Sequence, residues 1–537
     1  MNRILMTLIT ALATASTALA TAPSSLKTAP GYQADTTAAR HTAVPHAATL
    51  ADRMAEAYAP SAALAAPLYA NPAMQRYHYA HSLNTLRAGI DYGHASQPVR
   101  LEQGSGHSMG YGAIDAYIHK GRATLWGAAS YRNGTARHIQ YSETSDYDLL
   151  YPYLMADTVG GNSHREHYHF MGGFSYPVGR WNIAAEGQYT ALMEYRTRDP
   201  RPKNLTGDLS GKLGISYATG RHVIGGALTA RRYKQTNELK LYNEVSVPTI
   251  YHLTGLGSDY YRFRGVNTST YYKGHAVGGM LSYLYRGTRA EGTEVAPAPA
   301  AFAHVGYEMT EISKIISSLN ELPMATLRRH VQTAAAGWST LMGAHTVGFK
   351  VSEEWQRRQG FEHIFGTAQD NIYPQIATAE QYRLTTLCVG AQGLWQRALH
   401  TSGCRGYYAL QPSVYYHHYN EQTAEPARQL LASGWTSALT ARLLSGWGRV
   451  LTHLQLTGAY TAASTASLTG VSGAMAEPVR HFYGVLAHDA WHTGAEAEVA
   501  YRADSRWFPF LRAHWDYARY AQGQHGQVLT VSAGIHF

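Results

Sequence analysis

The regular spacing of its connections is the feature that most constrains how this chain folds. From Asn84 to the C-terminus, segments of alternating apolar and polar residues are joined in turn by short turns and by longer polar stretches. A period of two residues indicates β-strands with one apolar and one polar face. A transmembrane barrel needs short turns at one end and longer loops at the other, whereas a β-sandwich has no reason to keep them in phase. The sequence therefore predicts an all-β fold, an integral outer-membrane antiparallel β-barrel of about 18 strands, within a range of roughly 14–20.

The segment Gln527–Phe537 shows the strand pattern most clearly. From Leu529 onward its apolar residues fall on one face and its polar residues on the other, and the segment ends on an aromatic residue. A tilted strand of about 9–11 residues is long enough to cross a bilayer. We therefore expect this segment to be the last strand of the barrel, with Phe537 facing lipid and His536 facing the lumen.

The N-terminal part of the chain does not have the strand pattern. Met1–Ala20 resembles a secretory signal peptide, with a positive charge, a short apolar stretch and the small-residue cleavage pattern Ala18-Leu19-Ala20. Leu50–Tyr58 has helical composition, and beyond the signal no run of about 18 apolar residues predicts a transmembrane helix. We expect three regions: a signal peptide at 1–20, a periplasmic or lumenal segment with a short helix at 21–82, and the transmembrane barrel at 83–537.

Composition agrees with a barrel in the bacterial outer membrane. The chain has 40 Tyr, 10 Trp and 51 Gly, and charged residues make up only 15% of it, whereas soluble domains carry about 25%. Tyr and Trp suit the two membrane–water interfaces. The 45 Lys and Arg exceed the 36 Asp and Glu, but they form no basic helix or RNA-binding signature. We therefore expect no nucleic-acid partner, and we expect contact with membrane lipid and with lipopolysaccharide phosphates or anionic solutes.

Several short motifs resemble outer-membrane β-barrel proteins of Bacteroidota, in particular a family of single-chain barrels with no assigned function. They are the signal peptide, Asn71-Pro72-Ala73 before the first strand, the Tyr- and Gly-rich hairpins and the terminal Gly534-Ile535-His536-Phe537. The Asn-Pro-Ala motif is also similar to fatty-acid-transporter-type barrels, in which an N-terminal segment enters the lumen. The resemblance implies that Ile535 and Phe537 belong to the signal read by the barrel-assembly machinery, and it carries over no catalytic residue.

Charged residues at the polar positions of the strands are candidates for the lumen lining. They can select solutes by charge around a water path, or they can simply pair and fill the barrel, and the sequence leaves both open. The predicted lumen residues are Arg87, Asp91, Asp115, Glu186, Glu194, Lys212, Lys350, Arg442, Glu496, Glu498, Arg512, His514 and Asp516.

Arginines near the outer ends of upward strands are candidates for binding lipid phosphates, which guanidinium groups bind bidentately. The alternative is an ordinary solvated rim. The predicted rim residues are Arg196, Arg198, Arg201, Arg231, Arg232, Arg357 and Arg358.

Histidines and cysteines suggest two further sites. His164, His167 and His169 have the spacing of a metal- or haem-binding cluster, although the chain has 28 His in all, many without a neighbouring ligand. Overall we expect no cofactor. Cys388 and Cys404 flank one predicted turn, so a disulfide is an open possibility, although strand alternation points them to opposite sides.

Two motifs have weaker functional interpretations. Met309–Leu322 has the apolar spacing of an amphipathic helix, which in an outer loop either constricts the mouth or packs on neighbouring loops. Gly106–Gly110 matches Gly-x-Ser-x-Gly, but a predicted strand follows it and not the helix that a nucleophile elbow requires. We therefore expect no enzymatic activity.

Together these features predict a passive or gated pore or a nutrient-uptake component, with a surface lipoprotein or uptake protein as a candidate partner. The alternative is a non-transporting barrel that anchors or helps assemble a cell-surface complex.

Overall fold

Eighteen antiparallel strands form one closed barrel in the computed structural model, which describes residues 49–243, 248–265, 269–287, 299–370, 372–401, 404–504 and 506–537. The barrel closes because the first strand pairs with the last as well as with the second. The all-β barrel and its strand number, predicted from the sequence, are confirmed. Three further short strands, β4, β9 and β10, lie outside the barrel sheet. The strands are β1 (Leu83–Ala95), β2 (Gly106–Lys120), β3 (Ala123–Ile139), β4 (Met155–Ala156), β5 (Gly161–Val178), β6 (Trp181–Arg196), β7 (Arg201–Thr219), β8 (His222–Lys240), β9 (Tyr251–Gly255), β10 (Ser258–Asp259), β11 (Ser269–Arg286), β12 (Pro299–Ile316), β13 (Leu322–Met342), β14 (His345–Phe365), β15 (Gln375–Thr401), β16 (Cys404–Thr423), β17 (Arg428–Trp447), β18 (Val450–Thr469), β19 (Ala490–Tyr501), β20 (Phe508–Tyr520) and β21 (Gln524–His536).

The two ends of the barrel differ. At the end that we call the turn end, two-residue turns contain Gly121, Gly179 and Gly220 with positive φ, a conformation that tight hairpins require and glycine adopts without strain. The opposite end, the loop end, carries the long connections after β3, β8 and β18. Both ends of the barrel sequence, Leu83 and Phe537, lie at the turn end.

The outer surface of the barrel is apolar around its middle. Leu213, Leu228 and Leu281 point outward and are about 70% exposed. Large aromatic residues lie on the same surface toward each end, for example Trp181 at the turn end and Trp491 toward the loop end. Within the part of the chain that the structure describes, no helix is both long and apolar enough to span a membrane.

Residues 49–82, here called the N-terminal segment, lie inside the barrel at the turn end. The segment contains α1 (Leu50–Ala57), α2 (Pro60–Leu64) and 3₁₀ helices at Ala66–Ala70 and Pro72–Tyr77. Thr49 begins α1 with a capping box that includes Asp52. The side chains of Met54, Leu64 and Met74 are almost completely buried against the inner wall. They pack with side chains from strands on all sides of the barrel, so the segment occupies the lumen at this end.

Two insertions and a helix fold inward at the loop end. Insert A, residues 140–160, contains α3 (Tyr147–Leu150) and β4, and insert B, residues 248–265, contains β9 and β10. β4 pairs with β9, so the two inserts form one small sheet. The helix α4 (Ala476–Leu486) packs beside them through its buried Val479 and Phe482.

The prediction of a helix at Met309–Leu322 is wrong. Those residues form the end of β12, a tight turn and the first residue of β13. Ile312, Ile315 and Ile316 are β-branched, which favours strands. All three are buried, Ile312 and Ile316 against the inserts and a neighbouring loop, and this burial produces the apparent helical spacing. The strands β14–β17 extend well beyond the length that a bilayer requires, so residues 357–382 and 419–433 are also largely strand.

Candidate functional site

A cavity of about 590 Å³ lies between insert A and the inner face of β2, β3 and β5–β8. Basic and acidic side chains alternate around it, with a few apolar ones such as Met109 and Leu192. Its charged lining includes Arg132, Arg165, Arg196, Arg231, Glu102, Glu143, Asp146, Glu194 and Asp208.

Strand side chains hold insert A in the lumen by donating hydrogen bonds to its backbone carbonyls. Such contacts fix a loop because each carbonyl that loses water must find another donor. The donors come from five strands on one side of the barrel, β7, β8, β11, β12 and β14. These bonds are Asn204 and Asn237 to the Glu143 carbonyl (2.9 and 2.7 Å), Tyr272 to Tyr153 (2.9 Å), Lys314 to Leu154 (2.9 Å) and Arg358 to Tyr151 (3.2 Å).

A buried ion cluster joins insert A to β6. The Arg196 guanidinium lies 2.6 Å from an Asp157 carboxylate oxygen and 3.8 Å from Glu143, and all three side chains are at most 2% exposed. Arg196 Nε also donates to the Pro200 carbonyl at 2.8 Å. Because a buried ion is stable only when it is paired, Arg196 and Asp157 depend on each other.

The inserted elements carry groups whose charge is suppressed by burial. Burial, and next the negative charge of Asp157, hold the pKa of the Glu143 carboxyl well above its ordinary value. Burial also raises the pKa of Asp146 in insert A and of Glu102 in the neighbouring β1–β2 connection. In insert B, burial holds the pKa of His252 well below its usual range, so this imidazole is neutral.

The wall of the cavity is largely charge-compensated. Arg165 pairs with Glu194 at 3.0 Å, and Arg231 binds Asp208 with two hydrogen bonds of 2.8 and 2.6 Å. Arg132 is less constrained than Arg165 and Arg231. Its nearest acidic oxygen, on Asp91, is 3.9 Å away, and half of its side chain is exposed. The cavity therefore offers hydrogen-bond donors and acceptors of both signs and no large net charge.

The structure brings most of the predicted lumen residues into pairs near the turn end. Arg87 pairs with Asp115 and Lys212 with Glu186, each at 2.8 Å. Lys212, Glu498 and Arg512 contact the N-terminal segment, so they brace a filled lumen at that end. The role of the predicted residues in lining a solute path stays a prediction. The other predicted residues on the inner face are Asp91, Glu194, Lys350, Arg442, Glu496, Glu498, Arg512, His514 and Asp516.

The predicted arginine rim is wrong for Arg196, Arg231 and Arg358. These three side chains lie inside the barrel, bound to Asp157, Asp208 and the Tyr151 carbonyl respectively. Adjacent residues in a strand point to opposite faces, so Arg231 and Arg232 cannot both face outward, and neither can Arg357 and Arg358. Arg232 and Arg357 are the outward members of these pairs. Of the other two predicted residues, Arg198 is exposed in the β6–β7 turn, and Arg201 is bound to Asp199 at 2.6 Å.

The predicted histidine cluster does not converge. His164 points outward beside Tyr195, whereas His167 and His169 point into the lumen, again because strand residues alternate. Within the described ranges, no three His, Cys, Asp or Glu side chains are arranged to hold a metal ion. The possible disulfide is also excluded by strand register, since Cys388 pairs with His417 while Cys404 pairs with Thr401 at the hairpin.

Two other sequence motifs take definite positions. Ser108 of the Gly-x-Ser-x-Gly match lies within β2, paired with Tyr92 and Thr135, so no strand-to-helix elbow forms there. Ile535 and Phe537 lie on the outer side of the closing seam, and the Phe537 ring is 5.5 Å from that of Trp507. Their role in assembly stays a prediction.

The residues that hold insert A were missed by the sequence analysis. Asn204, Thr206, Gln235 and Asn237 are polar residues two apart on the inner face of neighbouring strands, and all four are buried. The signal was a polar stripe that continues past the length of a bilayer-spanning strand.

Comparison with known proteins gives a family and a set of distant barrels. The sequence profile of a family of unknown function, DUF6850, matches residues 72–537. The siderophore receptor PirA from Pseudomonas aeruginosa is 6% identical, with 85% of this chain and 80% of that chain covered and a TM-score of 0.34. The ferric preacinetobactin receptor BauA from Acinetobacter baumannii is 10% identical, with 85% of this chain and 79% of that chain covered and a TM-score of 0.36. CdiB from Acinetobacter baumannii is 9% identical, with 85% of this chain and 60% of that chain covered and a TM-score of 0.33. No curated protein sequence matches significantly.

Proposed function

This chain belongs to the family of unknown function DUF6850, and we propose that it is an integral outer-membrane barrel that admits a small polar solute through a gated lumen. The observation that carries the proposal is the cavity between insert A and the inner wall of the barrel. Insert A at the loop end and the N-terminal segment at the turn end are both held in the lumen by specific polar contacts. The resemblance of its sequence motifs to Bacteroidota barrels supports export to the outer membrane of such a bacterium.

The outer surface of the barrel supports the membrane location. Leu213, Leu228 and Leu281 are among many large apolar side chains left exposed around its middle, an arrangement that water disfavours by about 25 cal/mol per Å² of apolar surface. In lipid this cost disappears. Barrel closure also pairs the backbone amides of the first and last strands, as the hydrocarbon core demands.

Gating is supported by how each end of the lumen is occupied. At the turn end, the Tyr58 hydroxyl bonds the Glu498 carboxylate at 2.9 Å, and Asn182 donates to the Ala73 carbonyl at 2.9 Å. At the loop end, the carbonyls of insert A are bound by strand side chains. A solute therefore needs both elements to move, which favours a gated pathway over an open pore.

The cavity supports a small polar solute. Its volume of about 590 Å³ is in the range of pockets that hold small molecules. Because the Arg165–Glu194 and Arg231–Asp208 pairs neutralise most of its wall, we expect neutral or zwitterionic solutes to bind better than strongly anionic ones.

Conductance in planar bilayers tests the proposal. We expect the full chain to conduct rarely, and Asn204→Ala/Asn237→Ala to open more often because two donors to the Glu143 carbonyl are lost. The matched control is Thr436→Ala/Thr440→Ala, whose inward hydroxyls bond only to neighbouring strands. This control should conduct as the unaltered chain does.

The alternative is a non-transporting barrel that anchors a surface lipoprotein or helps assemble a surface complex, and the filled lumen is the observation that favours it. If a chain that lacks residues 49–82 and also carries Asn204→Ala/Asn237→Ala does not conduct, although it is folded, transport is excluded and the anchoring function replaces it.

A further inference from the structure

A cleft of about 520 Å³ lies on the outside of the barrel wall, on β8, β11 and β12 toward the loop end. Arg232, Lys234, Lys273 and His275 line it, and all four side chains are exposed. This cleft is separate from the lumen, because outward and inward residues alternate and the intervening Tyr233 is buried on the inner side.

The strand register concentrates positive charge in this cleft. Lys234 and Lys273 are direct cross-strand partners, and Arg232 is the partner of His275. Like charges placed directly opposite each other on a sheet repel. The register therefore maintains a repulsive arrangement that a bound anion would relieve.

Acidic side chains of the protein do not neutralise the cleft. Its one carboxylate is that of Glu311, which is already paired with Arg328 at 2.8 Å. Within the described part of the chain, Arg232, Lys234 and Lys273 form no ion pair with an Asp or Glu. Three cations are thus available to a ligand.

The cleft lies directly beside the apolar belt. Toward the turn end, the outward residues next to the cleft are Ala230 and then Leu228 on β8 and Val277 on β11, and Leu228 and Val277 are 71% and 57% exposed. Toward the loop end, the outward residues that follow are Arg232 and Lys234 on β8 and His275 and Lys273 on β11. A molecule that places a phosphate between Lys234 and Lys273 would therefore have room to lay hydrocarbon along the apolar surface below.

We propose that this cleft binds the phosphate group of a lipid of the outer leaflet. Lysine and arginine supply charge-assisted hydrogen bonds to phosphate oxygens, and the adjoining apolar surface favours a lipid over a free anion. The proposal rests on the membrane location proposed above but not on transport, so loss of conductance in the pore experiment would leave it standing.

Binding of diphosphoryl lipid A to the delipidated full chain in detergent tests the proposal. We expect saturable binding that weakens about tenfold or more in Lys234→Gln/Lys273→Gln, since each lysine near an anionic lipid strengthens its binding. Lys234→Arg/Lys273→Arg, which keeps both charges, should bind as the unaltered chain does. The matched control Lys240→Gln/Arg519→Gln removes two exposed outward cations away from the cleft and should change affinity less than twofold.

Two competitors identify the ligand. Dephosphorylated lipid A should bind far more weakly, and inorganic phosphate should displace lipid A only at much higher concentration. Equal binding by the Lys234→Gln/Lys273→Gln variant and the unaltered chain, with both folded by gel mobility before and after boiling, would overturn the proposal. Displacement by inorganic phosphate at concentrations similar to lipid A would overturn it in favour of a site for a soluble anion.

Discussion

At the scale of single residues, the position of a side chain on one face of a strand decides what it does. The sequence showed that Arg231 and Arg232 lie near the end of a strand, but it did not show which of them faces out. Arg231 binds Asp208 inside, whereas Arg232 lies in the outer cleft. Arg196 pairs with Asp157, which lies on insert A. No periodicity in the sequence indicates that this insert crosses the lumen. At these positions, the sequence therefore could not predict which face of the strand a side chain lies on or which distant residue it binds.

Arg196→Gln tests the buried cluster at this scale. The substitution leaves Asp157 buried beside an amide that carries no charge, and breaking a buried pair in this way costs about 3–5 kcal/mol. We expect insert A to undock, with a corresponding fall in stability to denaturant and faster proteolysis within residues 140–160. Arg198→Gln, two residues away and exposed, is the control. Equal protease sensitivity of the two variants would contradict the role assigned to Arg196.

At the scale of elements, strands were well predicted within the bilayer-length region and poorly beyond it. Between Leu83 and Ala95 one face meets the exterior and the other the lumen, so apolar and polar residues alternate. Near Ile312–Ile316 the inner face packs against inserts and loops, so apolar residues lie on both faces and the period of two is lost. The docking of the N-terminal segment was left open between periplasm and lumen, because its contacts are with strands far away in sequence.

Gly214→Val tests the docking of the N-terminal segment. A side chain added at Gly214 would meet Pro72 Cγ at 3.0 Å and the Ala73 nitrogen at 3.1 Å, and overpacking of this kind costs about 1–3 kcal/mol. We expect the segment to leave the wall and trypsin to cut after Arg53 or Arg76 while the barrel stays folded. Gly211→Val, on the same strand but with no atom closer than 3.9 Å, should remain resistant. Resistance of both variants would show that the segment is not seated against β7.

At the scale of the whole molecule, closure links the fold to the proposed function. The seam between β1 and β21 pairs Ala88 with Ala533 and Leu86 with Ile535. A shift of one residue would turn the apolar face of β21 into the lumen and its polar face outward. The register is therefore fixed by the same alternation that made Gln527–Phe537 recognisable as a strand, which is why strand number and closure were predictable while the contents of the lumen were not.

Cross-linking across the seam tests closure and register together. Ala88 and Ala533 are both exposed on the outer face, and side chains directly opposite on neighbouring strands have Cβ atoms about 4.5–5.5 Å apart. With Cys388 and Cys404 replaced by serine, Ala88→Cys/Ala533→Cys should form an intramolecular link with a short thiol cross-linker, identified by mass spectrometry of the joined peptides. Ala88→Cys/Ala513→Cys is the control, because Ala513 is on β20 and pairs with Val531, which pairs with Ile90. Ala513 is therefore two strand spacings and two residues away from Ala88, about 12 Å in all. A link in the control but not in the Ala533 variant would mean that β21 is displaced from the seam, and the lumen would then be open along its side, where no gate at either end could control passage.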